Sequence, residues 1–321
     1  MNNKDQNFHK SEKTKKINTK ALDSLLGLVE QKNIIFGHAV VAVEDNLAFP
    51  STLLIGNSGC GKTSLARLIC DLCGTKFREV HGRTLSQDKS FFKNTIRLLH
   101  DTEEKLHLFV DEVHQLSANQ QEIFFPILDN HNITIIAATT DTGKLIEPFQ
   151  NRFRLRLTIQ KYTEKEIYEI AKWYCKNKKI IATPSALKKI AGHGRNTPRI
   201  VFSLVDSCYS KSRFMAICAS KISGEDKDST TMITDEIVDM TFDDLNLHTY
   251  GIEKQEISIL SSIRTHTNLS LYTICAITKV DQKQYLQFYE PHLLDLGFIT
   301  KTSKGRSLTE KGKAFVDSIS S

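Results

Sequence analysis

The stretch best suited to chemistry is the glycine-rich octapeptide Gly56-Asn57-Ser58-Gly59-Cys60-Gly61-Lys62-Thr63. It matches the pattern GxxxxGK[ST], in which glycines allow backbone N–H groups to turn inward around phosphate oxygens. The spacing predicts that Lys62 reaches the β- and γ-phosphates of ATP, that the Thr63 hydroxyl binds Mg²⁺ and that Ser64 adjoins the nucleotide. A chance match on a glycine-rich turn is the alternative, but an apolar strand precedes the loop and a helix follows it.

Two consecutive carboxylates, Asp111 and Glu112, follow the apolar run at residues 106–110. Ligands of open α/β sheets gather at the carboxyl ends of strands, so we expect this pair close to the phosphate loop. Phosphoryl transfer depends mostly on positioning and charge stabilisation. The pattern predicts that Asp111 holds the Mg²⁺ shell and that Glu112 orients and deprotonates the attacking water, which favours hydrolysis over nucleotide binding alone.

A third apolar run, residues 133–138, ends in Thr139 and Thr140. A hydroxyl at this place is able to hydrogen-bond the γ-phosphate and report its presence, and we assign that role to Thr140. An ordinary strand end is the alternative, and it would be preferred without the other two motifs.

The elements that must position these residues alternate along the chain. The pattern predicts buried strands over 52–55, 106–110 and 133–137, and helices over 65–73 and 120–128. Buried strands that alternate with helices indicate an α/β domain with a parallel sheet covered on both faces. We place this P-loop ATPase domain at residues 21–160, after a polar, lysine-rich tail over 1–20 that is predicted to be disordered.

The remaining sequence changes character twice. Residues 161–225 predict an all-helical domain, whose first helix begins at the capping-box pair Thr163 and Glu166. Residues 226–249 are acidic and predict a linker. Over 250–321, three predicted helices precede a hairpin that turns at Lys304-Gly305, which is the order of a winged-helix DNA-binding domain.

Composition restricts the class of protein. Hydrophobic side chains make up 40% and charged ones 25% of 321 residues, a balance typical of soluble globular domains. No apolar run approaches the roughly 20 residues needed to cross a bilayer, and the N-terminus does not resemble a secretory signal. We therefore expect a cytoplasmic protein without membrane contact. Cys70 and Cys73 form a CxxC on a predicted helix, where burial is favoured over a metal or redox site.

Charge is unevenly distributed around a net value of +6. Basic side chains predominate over 1–20 and 161–225, and blocks of this kind favour contact with a polyanion. A solvated charged surface is the alternative, which charge alone does not exclude.

Together these motifs resemble the AAA+ ATPases and, within them, the RuvB family of Holliday-junction branch-migration motors, over about residues 25–312. The matching stretches are a Walker B segment at 111–117, sensor 1 at 136–140, an arginine-finger turn at 147–153, sensor 2 at 194–200, and winged-helix segments at 289–299 and 304–306. The resemblance implies an α/β AAA+ P-loop fold with a helical lid domain and a C-terminal winged-helix domain.

The resemblance also implies roles for basic residues. Arg152 aligns with the finger that acts on ATP in the neighbouring subunit, which requires a homo-oligomeric ring, expected to be a hexamer. Arg199 aligns with the lid arginine that senses the γ-phosphate. We assign Lys301, Lys304 and Arg306 of the wing to DNA phosphates, beside a helix around 282–287.

One departure from the family concerns a partner. The family carries a β-hairpin between the Walker B helix and the sensor 1 strand, and this hairpin docks onto the junction-binding protein RuvA. Here residues 125–132 pass almost directly into the strand at 133. A RuvA-like partner is therefore doubtful, unless another surface contacts it.

The leading hypothesis is an ATP-dependent DNA motor that translocates duplex DNA and migrates or remodels Holliday junctions and other branched DNA. The alternative is an AAA+ switch or loader acting in transposition, replication or defence, in which ATP controls assembly without branch migration. A DNA-binding regulator with a vestigial ATPase is a third hypothesis. Five intact residues argue against it: Lys62, Asp111, Glu112, Arg152 and Arg199.

Overall fold

The structure is a computed structural model that describes residues 17–100, 105–130, 133–223, 231–266 and 268–320. The chain divides into two compact units, Met1–Tyr162 and Thr163–Ser321. Residues 1–16 of the predicted disordered tail lie outside the described residues, and a 3₁₀ helix, Thr19–Ser24, begins within the rest of that tail.

The first unit contains a five-stranded parallel sheet, with the strand order β2-β3-β4-β1-β5. The strands are β1 Thr52–Ile55, β2 Phe77–His81, β3 Leu106–Asp111, β4 Ile133–Thr139 and β5 Leu155–Thr158. The central strands β1, β3 and β4 are almost entirely buried, as their continuous apolar sequences predict. The edge strands β2 and β5 mix polar with apolar side chains and carry exposed positions, which is why the apolar runs did not predict them.

One α-helix precedes β1, and others connect the strands. They are α1 Val29–Glu44, α2 Lys62–Cys73, α3 Gly82–Gln87, α4 Lys89–His100, α5 Ala118–Ile123, α6 Phe125–Leu128 and α7 Glu147–Asn151. The helix predicted over 120–128 is divided between α5 and α6. Pro126 lies in the first turn of α6, where a residue without an N–H is tolerated but cannot continue the preceding helix.

The second unit begins with a helical segment. Its elements are α8 Glu164–Lys178, β6 Ile181–Ala182, α9 Pro184–His193, α10 Pro198–Ser223, β7 Met232–Ile233, α11 Asp235–Leu245 and β8 Leu247–His248. The capping box of α8 is confirmed, because Thr163 N donates to Glu166 Oε2 at 2.8 Å and Glu166 N donates back to Thr163 Oγ1 at 3.3 Å. The short parallel pair β6–β7 departs from the all-helical prediction.

The acidic segment 226–249 is not a plain linker in its described part. Residues 226–230 lie outside the described residues, but α11 occupies most of residues 231–249. Val238 and Phe242 of this helix are buried, while its carboxylates face lysines of the basic block: Lys189 Nζ lies 2.5 Å from Asp239 Oδ1, and Lys211 Nζ lies 2.7 Å from Asp244 Oδ2. The apolar residues are spaced to face one side of the helix, and the density of charge obscured that pattern.

The C-terminal segment has the predicted order of helices and hairpin. Its elements are β9 Ile252–Glu253, α12 Lys254–Thr265, α13 Leu271–Thr278, α14 Gln282–Gln284, a π-helical turn Tyr285–Tyr289, α15 Glu290–Asp295, β10 Ile299–Thr302, β11 Gly305–Leu308 and α16 Glu310–Ser320. β10 and β11 pair antiparallel, as predicted. The final helix α16 was not predicted; it packs Val316 into the core beside α12.

A buried ion cluster joins α12 to the loop between α9 and α10. Glu256 is completely buried, and its carboxylate accepts from Arg195 Nη2 and lies close to His292 Nδ1, both at 2.7 Å. Arg195 also donates to Gly251 O and to Glu253 Oε1. The segment that carries the predicted sensor 2 is thereby fastened to the winged-helix segment.

No helix among the described residues is long and apolar enough to cross a membrane.

Candidate nucleotide and DNA sites

The phosphate loop lies between β1 and α2, with its ends fixed to neighbouring elements. Gly56 N donates to Thr139 O at 3.2 Å, so the start of the loop is tied to the end of β4. Gly59 and Gly61 have φ values of 77° and 101°, a left-handed region that L side chains rarely adopt. Gly61 is the N-cap of α2, whose free N–H groups and helix dipole favour an anion.

Lys62 keeps its side chain at this loop. It is only 6% exposed, and Nζ donates to Gly56 O and Asn57 O, each at 2.9 Å. A buried ammonium group, a hydroxyl from Thr63 and the backbone N–H groups of a helix N-terminus form a donor set suited to a nucleotide phosphate. The loop therefore fits the predicted ligand.

The Asp111–Glu112 pair lies at the end of β3, next to β4. Asp111 Oδ1 accepts from Glu112 N at 2.9 Å, and its Oδ2 lies 3.9 Å from His81 Nδ1 at the end of β2. Glu112 adopts a left-handed backbone with φ 51°. Gly82 permits this close packing, because a Cβ there would lie 2.3 Å from Glu112 O.

The Glu112 carboxylate is held by two groups from its surroundings. Thr140 Oγ1 donates to Glu112 Oε2 at 3.3 Å, and His114 Nε2 lies 3.2 Å from the same oxygen. Because β4 lies between β1 and β3, Thr140 stands between the phosphate loop and the carboxylate pair. Sequence reasoning gave His114 no role, since a lone histidine after a strand carries no signal of its partners.

Taken together, the three sequence motifs converge on the carboxyl edge of the sheet. Asp111 and Thr63 carry oxygen atoms of the kind that Mg²⁺ prefers, so they would be able to hold this ion, which when bound would neutralise phosphate charge. Glu112, the second carboxylate of the pair, is 35% exposed, so a water molecule can reach it. The arrangement is suited to phosphoryl transfer from ATP to water.

Arg152 follows α7 and is engaged within its own unit. Its Nε lies 3.4 Å from Asp129 Oδ2, its Nη1 donates to Pro148 O at 3.0 Å, and its guanidinium stacks 3.8 Å above the Phe125 ring. One third of the side chain is exposed. Arg199, the predicted sensor 2 arginine, lies in the first turn of α10 in the other unit and is exposed.

The wing residues differ sharply in their surroundings. Arg306 and Glu290 are 10% and 5% exposed, and Arg306 Nε donates to Glu290 Oε1 at 2.6 Å. Lys301 Nζ donates to Glu290 Oε2 at 3.0 Å and is half exposed. Burial raises the pKa of Glu290, but the hydrogen bonds from Arg306 and Lys301 outweigh it and hold that pKa below its ordinary value.

The prediction that Arg306 contacts DNA is therefore not supported by its position. A guanidinium buried against a carboxylate anchors the second strand of the hairpin, where Arg306 also exchanges backbone hydrogen bonds with Leu269. Lys304, at the tip of the hairpin, is exposed. Of the three wing residues, only Lys304 has both the exposure and the location that a phosphate contact requires, while Lys301 would share its charge with Glu290.

Known protein families match both the nucleotide-binding part and the C-terminal part of the chain. Residues 52–161 match the family model described as the ATPase family associated with various cellular activities, and residues 249–317 match the RuvB C-terminal winged helix domain. In both parts the chain resembles the RuvB-like AAA+ ATPases. These matches confirm the predicted fold class and identify the chain as an ATPase.

Relatives resemble this RuvB-like ATPase over most of its length. The Holliday junction branch migration complex subunit RuvB of Mycoplasma pneumoniae is 28% identical over 83% of this chain and 86% of that protein. The subunit of the same name from Pseudothermotoga lettingae is 27% identical over 90% of this chain and 86% of that protein. The Thermotoga maritima RuvB Holliday junction branch migration motor is a solved structure with a TM-score of 0.77 at 27% identity, covering 92% of this chain and 96% of that one.

Two further sequence features of this RuvB-like ATPase have structural counterparts. Only residues 129–132 separate α6 from β4, a length that leaves no room for an inserted hairpin. Cys70 is buried and Cys73 is partly buried on α2, and burial raises their pKa values to about 12 and about 11, so both remain thiols. The described residues contain no cluster of three or more potential metal-binding side chains.

Proposed function

We propose that this protein is an ATP-dependent DNA motor of the RuvB type, which hydrolyses ATP in a homo-oligomeric, hexameric ring and moves duplex DNA to migrate or remodel branched junctions. The observation that carries the proposal is the combination, in one chain, of an ATPase domain with a RuvB-type winged helix at its C-terminal end. The relatives that share both parts are named as Holliday junction branch migration subunits. We place its action in the cytoplasm.

In this proposal the nucleotide site divides its work among named side chains. Lys62 binds the β- and γ-phosphates, and Thr63 and Asp111 provide the Mg²⁺ ligands. Glu112 orients and deprotonates the attacking water, while Thr140 contacts the γ-phosphate. The proximity of Thr140 to the Glu112 carboxylate, at 3.3 Å, supports a shared task for these two residues.

Two arginines complete the proposed cycle. Arg152 would leave Asp129 and reach the γ-phosphate bound by the neighbouring subunit, where a finger arginine stabilises the transition-state charge. Arg199 would contact the γ-phosphate of its own subunit. The loop before Arg199 is fastened through Arg195 and Glu256 to the winged helix, so a displacement of this loop would reach the DNA-binding end.

The test measures ATP hydrolysis and junction processing by the purified full-length protein. We expect a synthetic four-way junction to stimulate ATP turnover and to be dissociated into duplex arms, without cleavage, only when ATP is present. Glu112→Gln should retain ATP binding and lose both activities. Absence of stimulation by duplex or branched DNA, with no migration, would refute the motor proposal.

A second function is favoured by the short connection between α6 and β4. Because residues 129–132 leave no space for the hairpin that docks RuvA, a switch or loader that uses another partner is the alternative. ATP-dependent assembly on DNA, measured by electron microscopy, together with no branch migration by the protein alone, would support the switch. Migration by the protein alone would exclude it.

A further inference from the structure

His114 joins the end of β4 to the Glu112 carboxylate. It lies on the 3₁₀ turn Val113–Gln115 and is only 8% exposed. Its Nδ1 is 3.1 Å from Thr139 Oγ1, and its Nε2 is 3.2 Å from Glu112 Oε2. The imidazole therefore spans two groups that belong to different motifs of the nucleotide site.

The two contacts of His114 depend on each other, because the Thr139 hydroxyl and the neutral imidazole each carry a single proton. The Thr139 hydroxyl accepts from Asp141 N at 3.0 Å and lies 3.0 Å from Asp141 O, so its single proton points either to that carbonyl or to His114 Nδ1. When it points to the carbonyl, Nδ1 carries the imidazole proton and donates to Thr139. In the neutral ring Nε2 is then an acceptor, which the Gln115 amide at 3.1 Å can satisfy.

The other arrangement engages the carboxylate. When the Thr139 hydroxyl donates to Nδ1, the imidazole proton moves to Nε2 and is donated to Glu112 Oε2. The orientation of one buried hydroxyl thus decides whether Glu112 is bonded by His114. Thr139 also accepts from Gly56 N of the phosphate loop through its backbone carbonyl, so its position depends on that loop.

We propose that His114 is a positioning residue that, through its contact with Thr139, holds the Glu112 carboxylate in the orientation needed for water activation. The proposal rests on the proposed ATPase role of Glu112 and adds a residue that acts through it. Thr140 donates to the same oxygen, Oε2, from the next position of the chain. The end of β4 therefore restrains the proposed base twice, directly by Thr140 and indirectly through His114.

The experiment separates kcat from KM for ATP hydrolysis in the absence of DNA. For His114→Asn, which keeps an amide near Thr139 but loses the reach to Glu112, we expect kcat to fall about 10- to 100-fold, the range for losing one hydrogen bond to a charged group. KM for ATP should stay within about twofold, because the restraint acts on the base and not on substrate binding. His114→Gln, whose amide can reach Glu112, should recover most of kcat.

Matched variants identify the route of the effect. Thr139→Val should lower kcat like His114→Asn, and the double variant should fall no further than the lower single variant, because both changes break one chain of contacts. Thr134→Val is the control on the same strand, since Thr134 is equally buried but donates to Phe49 O away from the site. His107→Asn is the control for the loss of a buried histidine. His107 lies on β3, and its Nδ1 is hydrogen-bonded to Thr75 Oγ1.

The possible outcomes are distinct. Two results would overturn the positioning role. The first is an equal loss of kcat in His114→Asn and His114→Gln that follows their unfolding temperatures. The second is a double variant in which the losses of His114→Asn and Thr139→Val add fully. Wild-type stimulation by junction DNA is measured in parallel. The motor proposal is tested by that stimulation. The role of His114 is tested by turnover without DNA, and it is overturned if the wild type shows no such turnover.

Discussion

Glu256 offers a direct test of how the second unit is held together. Its carboxylate is completely buried and accepts from three donors: Arg195 Nη2 and His292 Nδ1 at 2.7 Å, and Glu253 N at 2.9 Å. Glu256→Ala removes all three acceptors at once. Breaking a buried ion pair by removing one partner costs about 3–5 kcal/mol, because the remaining charge is left without compensation.

The arrangement around Arg195 places the expected loss near the lower end of that range. Arg195 keeps the Gly251 carbonyl and the Glu253 carboxylate as acceptors, so its charge stays partly compensated. The substitution affects His292 more strongly than Arg195, because His292 Nδ1 loses the Glu256 carboxylate while its Nε2 is buried and has no hydrogen-bond partner among the described residues. We expect Glu256→Ala to lower the free energy of unfolding of this unit by about 3 kcal/mol, and Glu256→Gln by about 1–2 kcal/mol because an acceptor of the same shape remains.

The chain contains one tryptophan, Trp173 on α8, and it lies in the same unit as Glu256. Urea unfolding followed by its fluorescence therefore reports on the affected unit and avoids treating the whole chain as a two-state system. Glu253→Gln is the control, because that carboxylate pairs with the same arginine but is half exposed, and exposed pairs contribute about 0.2–1 kcal/mol. A loss below about 1 kcal/mol for Glu256→Ala would refute the buried-cluster reasoning.

Three further outcomes are expected. Arg152→Ala should reduce steady-state ATP turnover ~10³–10⁵-fold without weakening ATP binding, as measured by equilibrium titration; an unchanged rate would remove the finger assignment. Burial lowers the pKa of His107 to about 4, so as pH falls below 6.5 the unfolded chain binds the His107 proton before the folded chain does. The stability of the first unit should therefore decline between pH 6.5 and about 4. His107→Gln should flatten that slope in pH-dependent thermal unfolding. Arg306→Ala should destabilise the winged helix by about 3 kcal/mol, because Glu290 would stay buried with the half-exposed Lys301 as its cation. Lys304→Ala should leave thermal stability unchanged and weaken junction binding in a titration. A stable Arg306→Ala variant that loses DNA binding would restore the assignment of Arg306 to DNA.

Local sequence predicted the parts of the fold in which one physical signal dominates. The strands β1, β3 and β4 are continuous apolar runs because both faces of the central sheet are covered, and glycine spacing marked the phosphate loop. The edge strand β2 escaped prediction because Arg78 and Glu79 are exposed, so that strand shows no continuous apolar run.

Predictions that depended on tertiary partners fared differently. Arg306 has the residue type and the position expected of a phosphate contact, but its partner Glu290 lies 16 residues earlier and only the folded domain brings the two together. His114 gave no signal for the same reason, since Thr139 lies 25 residues away in sequence. Proximity across the chain, rather than residue type, decided both cases.

The acidic helix α11 changes what the net charge of +6 means for DNA. Lys189 and Lys211 of the basic block already have the carboxylates Asp239 and Asp244 as counterions, supplied by the chain itself. A lysine paired in this way neutralises a phosphate only by giving up its carboxylate, so it releases few of the cations that are condensed on the nucleic acid. The ionic-strength dependence of DNA binding should therefore reflect the basic residues without such internal counterions, and it should be shallower than the total number of basic residues implies.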